Sequence, residues 1–229
     1  MLLGKKATRV FVATEGMEKF FPAEKIVVTG NPVRKSILSA ELSRADALKF
    51  FGLDPEKKTI LAVGGSLGAR SINEVMATHV HELESLQLQL IWQTGKATAA
   101  QYIDRGKAYH NVWVGEFIQD MGKAYTAADA VIARAGAMTV AELCVAQKPV
   151  AFVPYPLAAE DHQTVNAKYL VDRDAALMVK DSDTQSHLFG TITMLAKDEA
   201  LQQKLINNIK KYAVTDADVV VAKEILQAL

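Results

Sequence analysis

The stretch RAGAMTVAELC, Arg134 to Cys144, places a glycine-led turn at the start of a helix. Free backbone N–H groups and the positive end of a helix dipole favour an anion at such a point. No lysine follows the glycine, so the turn is not a P-loop. A carboxylate, Glu142, stands instead about a turn and a half into the helix. An anion hole beside a carboxylate suits a nucleoside diphosphate. The pyrophosphate takes the N–H groups, and the carboxylate accepts hydrogen bonds from the ribose diol.

Two further turns carry residues fit for ligand chemistry. GGSLGARS, residues 64–71, brings a backbone close to a phosphate or sugar. It also matches G-x-S-x-G, the elbow that presents a nucleophilic serine, here Ser66. A serine hydrolase needs a later acid and a loop histidine, and only His162 fits, since His187 falls inside a helical pattern. The plainer reading is a glycine turn whose hydroxyl caps the helix that follows. In VPYPLAAEDHQTVNA, residues 153–167, Asp161 reads as a helix N-cap and His162 as a candidate base. Gln163 and Asn166 share one helix face at a spacing of three, and their uncharged amides suit sugar hydroxyls.

Metal chemistry has weaker support. DRD (172–174), DSD (181–183) and DAD (216–218) match the D-x-D pattern of metal-dependent sugar transferases, but all lie at helix ends or turns, where aspartate is a favoured cap. No His/Cys cluster has zinc spacing, so no metal site is assigned. Arg34, in GNPVR, and Arg134 are cations that either meet an anionic ligand or form structural ion pairs.

The elements that position these turns alternate along the chain. Strands are expected at 9–13, 25–30, 59–65, 89–95, 111–117, 129–136, 149–155 and 175–180. Helices are expected at 43–51, 67–83, 97–108, 120–127, 138–147 and 162–172, with helical patterns at 184–196, 199–212 and 216–229. A further short helix is expected at TEGMEKFF, between the first two strands. The strands are nearly continuous apolar runs, as buried parallel strands are, so the fold class is α/β with a doubly wound parallel sheet. Such sheets bind ligands beyond the carboxyl ends of their strands, where all three turns lie.

Of the 229 residues, 50% are hydrophobic and 23% charged, which provides for a sizeable core. Lys+Arg 26 balances Asp+Glu 26, so no global field draws the chain to nucleic acid. The single cysteine, Cys144, falls mid-helix among apolar residues and reads as a small buried side chain. No apolar run is long enough to span a bilayer, which leaves peripheral contact as the route to a membrane.

GNPVR, GGSLGAR, RAGAMTVAE and HQTVNA, in that order and spacing, resemble the bacterial MurG family over essentially the whole chain. That family transfers N-acetylglucosamine to lipid I, forming lipid II of peptidoglycan synthesis at the inner face of the cytoplasmic membrane. The resemblance implies a two-domain GT-B fold, with UDP-N-acetylglucosamine held mainly by the C-terminal domain, and no cofactor. It implies that Arg34 and Ser66 contact the diphosphate region, and that Ile118, in EFIQDM, meets the uracil through its backbone. Ala137, Met138, Thr139, Val140, Ala141 and Glu142 would form the helix-start site, with Met138 and Thr139 offering N–H groups and Glu142 holding the ribose. Gln163 would read the sugar hydroxyls and Asn166 would support that turn; His162 stands where the family often has another glutamine.

By the same resemblance, residues 1–30 are a remnant of the acceptor domain, 31–212 the donor domain, and 213–229 a helix crossing back to the acceptor domain. The family's base and its acceptor loop belong to the acceptor domain, so no catalytic base is assigned within this sequence. The chain alone is then expected to bind donor with little or no transfer, and its terminal segments to expose apolar surface through which two copies would pair. Three other identities share some of these features: a stand-alone donor subunit like that of eukaryotic dolichol-linked transfer, a sugar-nucleotide epimerase, and the hydrolase using Ser66.

Overall fold

A computed structural model describes residues 6–38, 42–96 and 99–227. Its centre is a six-stranded, all-parallel sheet. In chain order, β3 (Lys58–Val63), β4 (Leu88–Gln93) and β5 (Val112–Gly115) build outward on one side, and β6 (Ala130–Ala133), β7 (Val150–Phe152) and β8 (Leu177–Met178) on the other. The spatial order is β5-β4-β3-β6-β7-β8, with Ile60 opposite Ala130 where the halves meet. The strand order therefore reverses between β3 and β6. Ligands of doubly wound sheets bind at this switch point, and the Ser66 and Gly136 turns leave the sheet there.

The sequence makes these strands because their residues are apolar on both faces. Every residue of β4 is buried, and so are all of β6 and β7. On one face, Leu61, Ile91 and Val131 meet α2 (Arg44–Phe50), α5 (Met121–Ala127) and α6 (Ala137–Ala146) through Leu48, Tyr125 and Leu143. On the other, Ile60, Trp92 and Ile132 meet α3 (Arg70–His79) and α8 (Thr184–Lys197) through Ile72, Val75 and Leu188. The remaining helices are α1 (Lys35–Leu38), α4 (Ala99–Lys107), α7 (His162–Val171), α9 (Glu199–Ile209) and α10 (Ala217–Gln227). Ser43, Asp120 and Asp198 cap α2, α5 and α9, accepting from backbone N–H groups at 3.1, 3.2 and 2.9 Å.

Ahead of this sheet, β1 (Val10–Val12) and β2 (Ile26–Val28) form a separate parallel pair. Arg9 lies 3.6 Å from Glu224 of α10, which ties the last helix to this leading segment.

Three local expectations are corrected. TEGMEKFF is not a helix: Gly16 adopts φ +82°, and only a single turn closes, with the Phe20 and Phe21 N–H groups both donating to the Met17 carbonyl. The helix after the first glycine turn begins at Arg70 rather than at 67, because Gly65 and Gly68 both sit at φ +85° and prolong the turn. Its N-cap is Ala69, so Ser66 caps nothing. Residues 97–98 and 228–229, at which two expected helices start and end, lie outside the described residues.

Candidate functional site

The turn leaving β6 is held from α7. Gln163 Oε1 accepts from the backbone N–H of Ala135 at 3.2 Å and of Tyr155 at 3.0 Å, while Asn166 Nδ2 donates to the Ala135 carbonyl at 3.1 Å. The two amides at a spacing of three thus grip both backbone groups of one buried residue, and they join the turns after β6 and β7. Gln163 Nε2 and Asn166 Oδ1 carry no hydrogen bond among the described residues, which leaves one donor and one acceptor for a ligand. Asn31 Nδ2 donates to the Ala137 carbonyl at 3.4 Å and brings the GNPVR segment to the same place.

α6 starts without a side-chain cap. Its first intrahelical bond runs from the Val140 N–H to the Gly136 carbonyl at 3.0 Å. The N–H groups of Ala137, Met138 and Thr139 are therefore unpaired among the described residues, at the positive end of a ten-residue helix. Ala137 and Met138 are exposed, and Val140 and Ala141 are half-buried behind them.

Glu142 lies half-buried one turn further along α6 and accepts a hydrogen bond from Tyr125 Oη at 3.1 Å. Burial raises its pKa above the ordinary carboxylate value, opposed by the Tyr125 hydrogen bond and by the positive charge of Arg34. Burial likewise pushes the Tyr125 phenol well above its usual range, with the charge of Glu142 adding to the shift. Arg34 is itself exposed, so its charge reaches both groups while its guanidinium stays open to a ligand.

The other two turns meet through a strand-end amide. Gln93, the last residue of β4, donates from Nε2 to the Gly65 carbonyl at 3.0 Å and accepts on Oε1 from the Ile118 N–H at 2.9 Å. Among the described residues, Ile118 thus keeps only its carbonyl as a free backbone group, and its side chain is buried. Ser66 is exposed, and its carbonyl accepts from the Lys96 N–H at 3.1 Å. The turn is close-packed: a Cβ on Gly68 would come within 2.1 Å of the Thr94 carbonyl oxygen. A cavity of about 490 Å³ opens beside it, lined by Ala69, Ser71, Arg134, Tyr155 and Asp181 among others. A second, of about 580 Å³ between α3 and α4, contains none of the candidate residues.

Several candidates have structural roles. Arg134 Nη1 donates to the carbonyls of Val153 and Pro154 at 3.0 and 3.1 Å and to Asp181 Oδ1 at 2.6 Å, and Nη2 donates to Ser71 Oγ at 3.2 Å. With only 12% of its side chain exposed, it cross-links the sheet to the start of α8 instead of facing a ligand. Asp181 of the second D-x-D match belongs to that cross-link. Asp172 and Asp174 of the first pair with Lys168 and Lys204, at 3.3 and 3.2 Å. Asp161 does occupy the N-cap of α7, but at φ 51° its carboxylate accepts from the Thr164 hydroxyl at 2.7 Å and not from a backbone N–H. His162 Nδ1 sits 2.7 Å from the Ala159 carbonyl. No hydrogen bond of His162 or His187 among the described residues reaches Ser66, so no hydrolase triad forms there. Cys144 is buried, which pushes its thiol up to about 12.

Sequence reasoning passed over Tyr125, Gln93 and Asn31. Gln93 left one signal, an amide at the end of the buried apolar run LIW. Tyr125 left none beyond being the one aromatic of its helix.

A family model described as the glycosyltransferase family 28 C-terminal domain matches residues 59–220. The UDP-N-acetylglucosamine--N-acetylmuramyl-(pentapeptide) pyrophosphoryl-undecaprenol N-acetylglucosamine transferase of Parabacteroides distasonis is 50% identical over 93% of this chain. Its counterpart from Bacteroides fragilis is 47% identical over 99%. The chain spans 58% and 60% of the length of these two relatives. The crystal structure of Acinetobacter baumannii MurG superposes with a TM-score of 0.71 at 32% identity, over 99% of this chain and 62% of that one. UDP-GlcNAc 2-epimerase from Neisseria meningitidis, solved bound to UDP-GlcNAc, shares the fold at TM-score 0.68 and 16% identity over 99% of this chain and 62% of that one.

Proposed function

The chain belongs to glycosyltransferase family 28 through its C-terminal domain, and from that premise we propose that it binds UDP-N-acetylglucosamine as the donor half of a GT-B transferase. The observation that carries this reading is the start of α6: three unpaired N–H groups at a helix N-terminus, with the Glu142 carboxylate one turn further on. The diphosphate sits on the N–H groups of Ala137, Met138 and Thr139, and Arg34 and Ser66 are assigned to it as further contacts. Glu142 accepts from the ribose, the Ile118 carbonyl meets the uracil, and the free Nε2 of Gln163 donates to the sugar. Asn166 holds the turn on which these contacts depend.

The reaction assigned to the whole protein is inverting transfer of N-acetylglucosamine to lipid I, giving lipid II. The acceptor hydroxyl attacks the anomeric carbon, the bond to the diphosphate breaks, and UDP departs with its new negative charge. That charge develops next to the α6 N-terminus, where preorganised N–H groups and the helix dipole stabilise it without reorganising. The base that takes the hydroxyl proton is assigned to the acceptor domain. In the domain division we propose, 1–30 belong to the acceptor domain, 31–212 form the donor domain and 213–229 return to the acceptor domain. Among the described residues no helix is long and apolar enough to cross a membrane, and contact with the inner membrane face is proposed as peripheral. Exposed Val28, Val219, Ile225 and Leu226 support the proposal that the terminal segments pack against the rest of the acceptor domain, or against a second copy of this chain.

Calorimetric titration of the chain with UDP-N-acetylglucosamine, with no divalent metal added, tests the donor reading. Binding that Glu142→Ala abolishes and Ser66→Ala weakens is the expected result. Absence of binding by the unaltered chain would overturn it.

A further inference from the structure

Tyr125 stands outside every set of residues assigned above to the donor. It sits on α5, is 2% exposed, and packs its ring into the core between the sheet and α6. Only its hydroxyl reaches the site, donating to Glu142 Oε2 at 3.1 Å. We propose that Tyr125 is the positioning residue that makes this site select a ribose, by pinning one oxygen of Glu142 so that the other faces the sugar diol. The inference rests on the donor reading and assigns the part of it that Glu142 cannot perform alone.

The physical argument has three parts. A buried phenol needs a hydrogen-bond partner, and among the described residues Glu142 is the one it has, so the ring's fixed position is transmitted to the carboxylate. A glutamate side chain loses rotamer freedom when it is ordered, and a partner already in place removes that cost from ligand binding. An ionised carboxylate accepts about four hydrogen bonds, so one from Tyr125 leaves Oε1 wholly available to a diol. Arg34 does not do this work. It acts on Glu142 through its charge, from an exposed position, and forms no hydrogen bond to it among the described residues.

The test compares UDP with 2′,3′-dideoxyuridine diphosphate, which lacks the diol, by titration of the unaltered chain, Tyr125→Phe, Glu142→Gln and the double variant. The unaltered chain is expected to prefer UDP by about tenfold or more, as loss of hydrogen bonds to a charged group implies. Tyr125→Phe is expected to reduce that preference to about threefold while leaving the dideoxy ligand's affinity unchanged, and to add nothing in the Glu142→Gln background. Because the readout is a ratio of two affinities on the same protein, a smaller folded fraction in the variant cancels. Equal weakening of both ligands, or an unchanged ratio, would overturn the inference and leave the donor reading standing. If the unaltered chain binds UDP but shows no preference for the diol, the ribose role of Glu142 fails and the inference falls with it. If it binds neither ligand, the donor reading itself is lost.

Discussion

Gln93 and Ile118 are joined across the carboxyl edge of the sheet, the side-chain oxygen of one accepting the backbone N–H of the other at 2.9 Å. The nitrogen of the same amide holds the Gly65 carbonyl at 3.0 Å, so one residue sets the spacing between the glycine turn and the Ile118 turn. Gln93→Leu leaves the buried Ile118 N–H without a partner, which costs about 1–3 kcal/mol. Urea denaturation should show that loss. UDP affinity should fall by more than pyrophosphate affinity, because the uracil contact at Ile118 is lost while the α6 N-terminus is untouched and only the Ser66 turn shifts under the diphosphate; equal loss of both would contradict a role confined to these two turns.

Gln163 divides its work between its two amide atoms. Oε1 holds the turns after β6 and β7, and Nε2 is the atom assigned to the sugar. Gln163→Glu keeps an acceptor oxygen at the Oε1 position and puts a second in place of the amide nitrogen, and its charge is favourable in the first turn of a helix, so the clamp should survive. The donor N–H is lost, and UDP-N-acetylglucosamine should lose its advantage over UDP in competition titrations. Gln163→Ala should instead weaken both ligands, since it frees the backbone of Ala135 and Tyr155.

The Arg134–Asp181 pair is a cross-link with little solvent around it, 12% and 25% exposed. Asp181→Ala strands a guanidinium that still serves two carbonyls, and such removal of one partner costs about 3 kcal/mol. Replacing both by apolar residues of similar size should cost less, the mark of a structural pair. Chemical denaturation of the single and double variants decides this. A double variant no better than Asp181→Ala would show that the bonds of Arg134 to the Val153 and Pro154 carbonyls and to Ser71 outweigh the stranded charge.

Glu142 predicts opposite pH trends for folding and binding. Its folded-state pKa is raised, chiefly by burial, so its contribution to folding is fully present below the ordinary carboxylate value and is lost as pH rises through the raised one. Glu142→Gln should therefore melt at a temperature no lower than the unaltered chain near neutral pH, and lower relative to it in acid. Ligand binding needs the ionised form, so UDP affinity should decline on acidification from a higher pH than an exposed carboxylate would give. UDP's own phosphate titrates in both proteins, and the difference between the two pH profiles isolates the carboxylate. Superimposable profiles would remove Glu142 from the ribose.

Much of this molecule was legible in one dimension, because the relevant physics is local. Continuous apolar runs such as TILAV and DAVIA become buried parallel strands, and glycines at positive φ after β3 force the tight turn that precedes α3. The uncapped start of α6 and the i, i+3 pairing of Gln163 with Asn166 also follow from spacing alone. Even here local signals overreached: TEGMEKFF has helical composition, yet Gly16 at φ +82° interrupts it.

Tertiary structure decided which of the polar residues face a ligand and which face each other. Arg134 and Asp181 are 47 positions apart, and Tyr125 and Glu142 are 17 apart. Their meeting depends on the order of the strands and the crossing of the helices, which no local period encodes. Burial then sets the chemistry: it turns Arg134 inward to carbonyls and Asp181, and it raises the Glu142 carboxyl against the Tyr125 hydroxyl. The residue types and their turns were determined by the sequence itself. Their partners, and hence their charge states, came only from the packed fold, because desolvation and hydrogen bonding act between groups the chain brings together from a distance.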